Sequence, residues 1–288
     1  MLLMIALGAL LAVAVVLAVL WGREPLVPPR NPFGSASGET DAGSLRHPHR
    51  AGLRYYLWWA AVFTVVGTAT GVLVTGAGGR LAMRLLAITS PDARGRLTEA
   101  QALVGFISLE GTLGYLVFGA LPFAFASAAL YLLVAPWLPR GRFAGPTFGA
   151  ILLVTLSPFI DPLRPDNIDF DKVGPGWLSV LLFGALAILQ GTVLAAIAGR
   201  LSRSLPLMTR RNWPATGAAL LPAVALFPIG IVLALGALGA LAFPRLLPWF
   251  LTLRASRSGV LTGRVLLTVA VLATLPAFVA AVISIWAR

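Results

Sequence analysis

The chain has 288 residues, of which 58% are hydrophobic and only 11% are charged, and its formal net charge is +12. A soluble domain carries about 25% charged residues, so this composition excludes an ordinary soluble protein and indicates a polytopic membrane protein. The absence of cysteine excludes disulfides, thiolate catalysis and cysteine-based metal sites. The arginines stand in short clusters between apolar runs, which favours membrane lipids over nucleic acid as partners.

Seven apolar runs are long enough, or nearly so, to cross about 30 Å of hydrocarbon. They cover residues 1–21, 55–76, 111–134, 143–160, 177–199, 215–242 and 263–286. The fourth run is short, and the sixth carries Pro222 and Pro228, which predict a kink or a broken helix. The sequence therefore predicts an all-α fold, a polytopic transmembrane helix bundle of about seven membrane helices with short interfacial helices.

The N-terminal part of the chain divides into an anchor and a linker. Residues 1–21 lack both a charged leading segment and a small-residue cleavage site, so they predict an uncleaved membrane anchor helix. Residues 22–54 are rich in Pro, Gly, Ser and Arg, a composition typical of a flexible linker. Residues 55–288 then form a six-helix transmembrane body.

Loop charge predicts the orientation of these seven helices. Twelve basic residues fall on the side that holds the linker and the C-terminus, against ten on the other side. This small excess favours an outer N-terminus and a cytoplasmic C-terminus (N-out/C-in) in the cell inner (plasma) membrane.

Small residues recur at four-residue spacing, which lets helix backbones approach closely in a membrane. The longest such stripe is Ala187, Gly191, Ala195 and Gly199, and shorter pairs are Gly67 with Gly71 and Gly145 with Gly149. We expect packing within one molecule, and a contact with a partner protein or a second copy is the alternative.

Residues 78–86 contain Arg80 and Arg84, which are four apart and so share one helix face. Leucines surround them, as in a short helix lying along the membrane surface. Two neighbouring guanidiniums are suited to hold a phosphate or carboxylate, and contact with ordinary lipid head groups is the alternative. Ser90-Pro91 and residues 98–101 also resemble helix starts, so we predict two or three surface helices here.

Residues 161–177 form the most polar segment between two predicted spans, with four of the ten acidic residues of the chain in eleven positions. The EF-hand spacing fails here, because Lys172 stands at the glycine position and Leu178 at the final glutamate position. We therefore predict neither a metal nor a cofactor.

Two roles remain open for this loop. In a structural role, Asp161 pairs with Arg164, Asp166 or Asn167 caps a turn, and the aspartates bind arginines of residues 80–96. In a ligand site, Arg164 and Asn167 bind the ligand, because polar groups at membrane depth are costly and often functional.

Three carboxylates are candidate catalytic groups, namely Asp166, Asp169 and Glu110. A desolvated Glu110 at the start of the third run has the raised pKa that suits a general acid, although a carboxylate there is also favoured by the helix dipole. Gln190 is the one strongly polar side chain deep inside a predicted span, and we expect it to bond a neighbouring helix.

The sequence of residues 78–99, 111–114 and 161–177 resembles that of an uncharacterised family of bacterial multi-pass membrane proteins that is frequent in high-GC actinobacteria. The resemblance covers about the middle third of the chain. It implies a membrane protein class and no mechanism.

The leading functional hypothesis is a binding site for a lipid or amphiphile at the outer interface. In it Arg80, Arg84 and Arg164 hold anionic groups, and Asp166, Asp169 and Glu110 supply hydrogen bonds or proton transfer. One alternative is a membrane enzyme acting on an isoprenoid or lipid, terpene-cyclase-like in topology only. Another is a non-catalytic subunit of a membrane complex. The sequence leaves open whether the protein is an enzyme.

Overall fold

A computed structural model describes residues 1–34, 47–99, 103–209 and 211–288. These residues form an all-α bundle, as predicted. The helices are α1 (Leu2–Trp21), α2 (Pro48–Ile88), α3 (Leu109–Trp137), α4 (Ala144–Leu156), α5 (Gly176–Ser204), α6 (Trp213–Ala225), α7 (Phe227–Ala242), α8 (Leu246–Ala255) and α9 (Arg257–Trp286). Helices α1, α2, α3, α5 and α9 are long and apolar enough to cross a membrane.

About seven membrane helices are predicted from the sequence, and the described part of the chain has five to six that are long and apolar enough to span a membrane. Five helices meet the length requirement, or six if α7 and α8 count as one span, although they are bent by 97°. The fourth predicted run is the 13-residue α4, which is only about 20 Å long at 1.5 Å per residue. The sixth run is broken at Leu226 into α6 and α7.

Helices α6 and α7 form a hairpin that begins and ends at the same end of the bundle. The carbonyl of Leu205, in the segment between α5 and α6, accepts a hydrogen bond from Trp58 Nε1 (2.9 Å). At the far end of α7, the Leu241 carbonyl lies 2.7 Å from His49 Nδ1. Both partners belong to the first half of α2. Residues 213–242 therefore run away from this end of the bundle and back to it.

The prolines of this run explain the break. Pro222 lies inside α6, and Pro228 occupies the first turn of α7, where a missing N–H costs nothing. Leu226, two residues before Pro228, has the non-helical ψ of 79°. The predicted broken helix is therefore confirmed, but its two halves do not continue in one direction.

The hairpin brings both termini to one end of the bundle. Arg264, early in α9, donates to the Trp137 carbonyl (3.2 Å), and Arg288 donates to the Pro165 carbonyl (2.6 Å) at the other end. Trp21, the last residue of α1, lies under Arg200 at the end that holds Trp137. The predicted N-out/C-in arrangement places the termini at opposite ends, whereas the described chain has both at one end, because the sixth run does not extend from one end of the bundle to the other.

The two ends of the bundle differ sharply in charge. We refer to the end with residues 89–99, 103–108, 157–175 and both termini as the loop end, and to the opposite one as the basic end. Among the described residues, the basic end has a single carboxylate, Glu24, against thirteen arginines: Arg23, Arg30, Arg50, Arg54, Arg140, Arg142, Arg200, Arg203, Arg211, Arg245, Arg254, Arg257 and Arg264. The loop end has equal numbers of each sign: Arg80, Arg84, Arg94, Arg96, Arg164, Lys172 and Arg288 against Asp92, Glu99, Glu110, Asp161, Asp166, Asp169 and Asp171.

Glycines let α4 and α5 touch backbone to backbone. A Cβ at Gly191 would lie 2.4 Å from the Gly149 nitrogen and 2.5 Å from the Gly145 oxygen. One at Gly199 would lie 2.0 Å from the Glu24 oxygen. The expected packing within one molecule is confirmed at these positions, and the stripe is not a free surface for a partner.

The described ends of the predicted linker are part of the bundle. Residues 48–54 already belong to α2, and residues 22–34 contact the bundle. The Val27 amide donates to Ser202 Oγ (3.0 Å), and Glu24 pairs with Arg200 (3.6 Å). Residues 35–46 of the predicted linker lie outside the described residues.

The predicted surface helix at 78–86 is instead the continuation of α2. A π-helical segment, Gly71–Gly76, joins the first part of α2 to Ala77–Ile88 without a break. Pro91–Ala93 forms the expected helical turn after Ser90. At the next predicted start, Thr98 and Glu99 are not helical, and residues 100–102 lie outside the described residues.

Arg254 anchors α8 to the end of α3, where sequence reasoning had expected an outer loop. It is 7% exposed, and its Nη1 donates to the carbonyls of Leu132 and Leu133. Its guanidinium also lies 5.6 Å from the ring centre of Trp59. The last carbonyls of a helix carry partial negative charge, so they supply part of the compensation that a carboxylate would give.

We expect Gly191→Ala to destabilise the protein by about 1–3 kcal/mol, because neither facing backbone can give way. The matched control is Gly239→Ala in α7, where a Cβ would meet nothing within 4 Å. That control should be neutral or stabilising, by up to about 1 kcal/mol, since alanine favours helix. Thermal unfolding in detergent measures both, and equal melting temperatures for the two variants would contradict the close packing.

Candidate functional site

Arg164 is the centre of a charged cluster at the loop end, which we name the Arg164 clasp (Glu99, Asp161, Arg164, Asp166). Its guanidinium contacts Glu99 at 2.7 Å, and Asp161 and Asp166 at 3.2 Å each. Pairing with Glu99, and to a smaller extent with Asp161, raises the pKa of the guanidinium further above its ordinary value. The predicted Asp161–Arg164 pair is confirmed, and Arg164 is neutralised by carboxylates of the chain itself.

Asn167 holds the turn beside this clasp and is only 6% exposed. Its Oδ1 accepts from the Asp169 amide (2.9 Å), which begins the short helical turn Ile168–Asp171. Its Nδ2 donates to Asp161 Oδ1 (3.2 Å) and to the Pro162 carbonyl (3.1 Å). The predicted capping role is therefore confirmed, and these bonds give Asn167 a structural role.

Two further contacts fix the 161–177 loop to distant parts of the chain. Asp169 Oδ1 accepts from the Glu99 amide (2.8 Å), and Arg288 pairs with Asp171 (3.0 Å). Burial raises the pKa of the Asp169 carboxyl, and the bond from the Glu99 amide partly offsets this. Among the described residues, the loop's ion pairs are with Arg164 and Arg288, and the prediction that its aspartates pair with arginines of residues 80–96 is wrong.

The two arginines expected to form an anion fork have different surroundings. Arg84 Nη1 donates to the Gly105 carbonyl (2.6 Å), so it holds the 103–106 segment. The Arg80 Nε is buried and has no hydrogen-bond partner among the described residues. Arg80 lies beside Tyr115 and Gly111, at the start of α3.

Glu110 lies in the first turn of α3, behind the capping residue Ser108. Ser108 Oγ accepts from the Gly111 amide (3.0 Å). The Glu110 side chain is exposed, so the desolvation that a general acid would need is missing. The helix-dipole alternative explains its position.

A line of polar groups runs into the bundle interior, and we name it the polar chain (Tyr115, Thr75, Gln190). Tyr115 OH donates to the Thr75 carbonyl (3.1 Å), and Thr75 Oγ1 donates to Gln190 Oε1 (3.1 Å). Gln190 is 2% exposed, and its Nε2 has no partner among the described residues. The expected bond from Gln190 to a neighbouring helix is confirmed.

The polar chain passes between two π-helical segments that face each other. They are Gly71–Gly76 in α2 and Leu116–Ala120 in α3, and Gly76 packs directly on the Leu116 side chain. A π-helical turn shifts the backbone hydrogen bonds by one residue and is frequent at functional sites. Tyr115, directly before the second segment, donates to the carbonyl of Thr75 in the first.

A narrow cleft of about 50 Å³, the Gln190 cleft, opens beside the polar chain. It is lined by Phe123 of α3, by Leu152, Leu153 and Leu156 of α4, by residues 157 and 160–163, and by Phe183, Ala187 and Gln190 of α5. Its wall is apolar except at Ser157, Asp161 and Gln190. Asp161 belongs to the Arg164 clasp, so the clasp fixes one side of this cleft.

Sequence reasoning missed Thr75, Tyr115 and the cleft. Thr75 and Tyr115 are single polar residues in apolar runs, and nothing in their spacing marks the π-helical segments that bring them together. The one sequence signal for this site is Gln190, because a side-chain amide in a membrane span needs a hydrogen-bond partner.

We expect Arg164→Gln to loosen the contact of the 161–173 loop with residues 90–99, because the neutral amide forms no ion pair with the three carboxylates. Backbone amides in both segments should then exchange with deuterium faster, while those of α5 stay protected. Arg96→Gln, at an exposed arginine of the same end, is the matched control and should leave exchange unchanged. Unaltered protection of these amides in Arg164→Gln would show that the clasp does not hold the two segments together.

No family model, curated protein or solved structure matches this chain. The resemblance carried by residues 78–99, 111–114 and 161–177 therefore stays a prediction. The statement that the geometry supports is that this is a multi-pass membrane protein with an all-α fold.

Proposed function

We propose that the protein binds a lipid or another amphiphile in the Gln190 cleft, at the loop end of the bundle. The single observation that carries the proposal is the unpartnered Nε2 of Gln190, which is buried at the wall of an otherwise apolar cleft. A buried donor without a partner costs about 1–3 kcal/mol. A ligand oxygen that accepts from Nε2 recovers this cost.

The chemistry of the cleft favours an amphiphile over a wholly apolar or a wholly polar ligand. Leucine and phenylalanine side chains form most of the wall and suit a hydrocarbon chain. Ser157 and Asp161 add hydroxyl and carboxylate groups where the cleft meets the loop end. The occupant is therefore a slender chain with a polar head, and it carries a carbonyl, ether or hydroxyl oxygen near Gln190.

The roles of the arginines differ from the initial hypothesis. Arg164 acts by holding Asp161 at the cleft, and Arg84 acts by holding residues 103–106. Arg80 keeps the proposed role of contacting an anionic group, since its Nε has no partner within the described chain. Asp166 and Asp169 serve the loop, and no contact in the described residues favours the enzyme or the subunit alternative over binding.

We also propose an orientation in the cell inner (plasma) membrane, with the basic end in the cytoplasm. Membrane proteins retain an excess of arginine and lysine on the cytoplasmic side. The excess of arginine at the basic end is far larger than the excess of twelve basic residues over ten that seven crossings predict. In this orientation the N-terminus and the binding site are outside, as predicted from the sequence, and the C-terminus is outside as well.

The test compares the amphiphiles that co-purify with wild type, Gln190→Leu and Ala187→Leu in native-lipid discs, by mass spectrometry. Gln190→Leu removes the donor, so the affinity for the occupant should fall by about 5- to 100-fold. Ala187→Leu adds volume to the cleft wall without touching the polar chain, so it should displace the same occupant.

Thr192→Val is the matched control, because its hydroxyl bonds only the Ile188 carbonyl on the same helix (2.7 Å) and does not line the cleft. It should retain the occupant of the wild type. Folded yields are matched by size-exclusion chromatography. Identical bulk-lipid profiles in all four proteins would overturn the proposal and reduce the cleft to a packing defect.

A further inference from the structure

A second groove, of about 390 Å³, lies at the basic end, between α4, α9 and the turn that follows α3. Its lining includes Trp137, Thr147, Ile151, Arg264, Leu267 and Thr268. Arg264, Leu267 and Thr268 are three and four residues apart, so they share one face of α9. The groove shares no lining residue with the Gln190 cleft and lies at the opposite end of the bundle.

Arg264 presents an available cation at the head of this groove. Its Nε donates to the Trp137 carbonyl (3.2 Å), which fixes the side chain. Its two Nη nitrogens have no hydrogen-bond partner and no carboxylate among the described residues. A planar guanidinium held in this way is suited to a phosphate.

Trp137 forms a rigid wall for the same groove. Its ring packs on Gly263, where a Cβ would lie 2.1 Å from Cδ2, and its Nε1 donates to the Arg254 carbonyl (3.2 Å). Tryptophan is enriched at the level of lipid head groups. The position of the wall is therefore determined by the fold, independently of any occupant.

The remaining lining is suited to an acyl chain. Ile151 and Leu267 continue the groove along α4 and α9, one turn beyond Arg264. Neighbouring side chains of α9 point away from the bundle, with Val265 54% and Leu266 57% exposed. The groove thus opens onto the apolar face of α9 that contacts lipid, and it combines a cationic head with an apolar body.

We infer that this groove binds one anionic phospholipid, with its phosphate on Arg264 and an acyl chain along Ile151 and Leu267. Charge complementarity selects the anionic lipid, because the surrounding end has thirteen described arginines and only Glu24 as a described carboxylate. The anionic lipids of the cytoplasmic leaflet attract such basic segments. The inference concerns a different site from the Gln190 cleft, and it rests on the proposed function only for the cytoplasmic orientation of the basic end.

The test is native mass spectrometry of the full chain, transferred from discs of phosphatidylcholine that contain a minor fraction of phosphatidylglycerol. Wild type should retain one phosphatidylglycerol in preference to phosphatidylcholine. Arg264→Gln should weaken that preference about tenfold, the cost of a charge-assisted contact to phosphate. Arg211→Gln makes the same charge change at an exposed arginine of the same end and should retain the lipid.

Thr268→Trp supplies a second variant that keeps every charge and fills the groove, and it should lose the lipid as well. Added inorganic phosphate at millimolar concentration should not displace it. Displacement by phosphate would make the occupant a free anion and overturn the inference. So would equal retention in Arg264→Gln and wild type, or equal loss in Arg264→Gln and Arg211→Gln.

Discussion

The close contact between the backbones of α4 and α5 is the constraint on which the rest of this structure depends. In lipid no hydrophobic force drives two helices together, so backbone approach at small residues and buried hydrogen bonds must do so. Gly145, Gly149 and Gly191 allow that approach. It sets α4 against the middle of α5, which positions Gln190 beside α4 and determines where residues 157–163 leave the membrane. The Gln190 cleft and the Arg164 clasp both follow from it.

The hairpin of α6 and α7 is the second determinant, because it decides which charges share a side. Had residues 213–242 crossed the membrane, Arg245, Arg254 and Arg257 would lie with the acidic loop, and the two sides would carry nearly equal basic charge. Their return places these arginines at the basic end. The result is one end of balanced charge, with the polar chain and the cleft, and one end of almost purely positive charge, with the Arg264 groove.

Much of the fold could be predicted from the sequence, because apolar run length and small-residue spacing report directly on membrane helices. The all-α class, the break near Pro222 and Pro228, the packing of Gly191 and the Asp161–Arg164 pair were all predicted. The direction of the chain after Pro228 was not, since a proline break has the same sequence signature in a kinked span and in a hairpin.

The candidate site was predicted only in part. Gln190 and the 161–177 loop could be singled out from composition, because polar residues are rare at these depths. Thr75 and Tyr115 could not, because their role depends on two π-helical segments that have no periodic signal. The pairing of Arg164 with Glu99 could not be predicted either, because counting charges does not reveal that a carboxylate far away in sequence contacts this arginine.

The most direct test of the account is the side of the membrane on which four introduced cysteines react with a membrane-impermeant maleimide. The chain has no cysteine of its own, so each introduced thiol reports a single position. The exposed sites are Asp92, Ser204, Ser258 and Ala287. The account predicts that Asp92→Cys and Ala287→Cys react from the outside and that Ser204→Cys and Ser258→Cys react only after permeabilisation. Labelling of Ser258→Cys together with Asp92→Cys would contradict the hairpin, and with it the charge distribution that both proposed sites use.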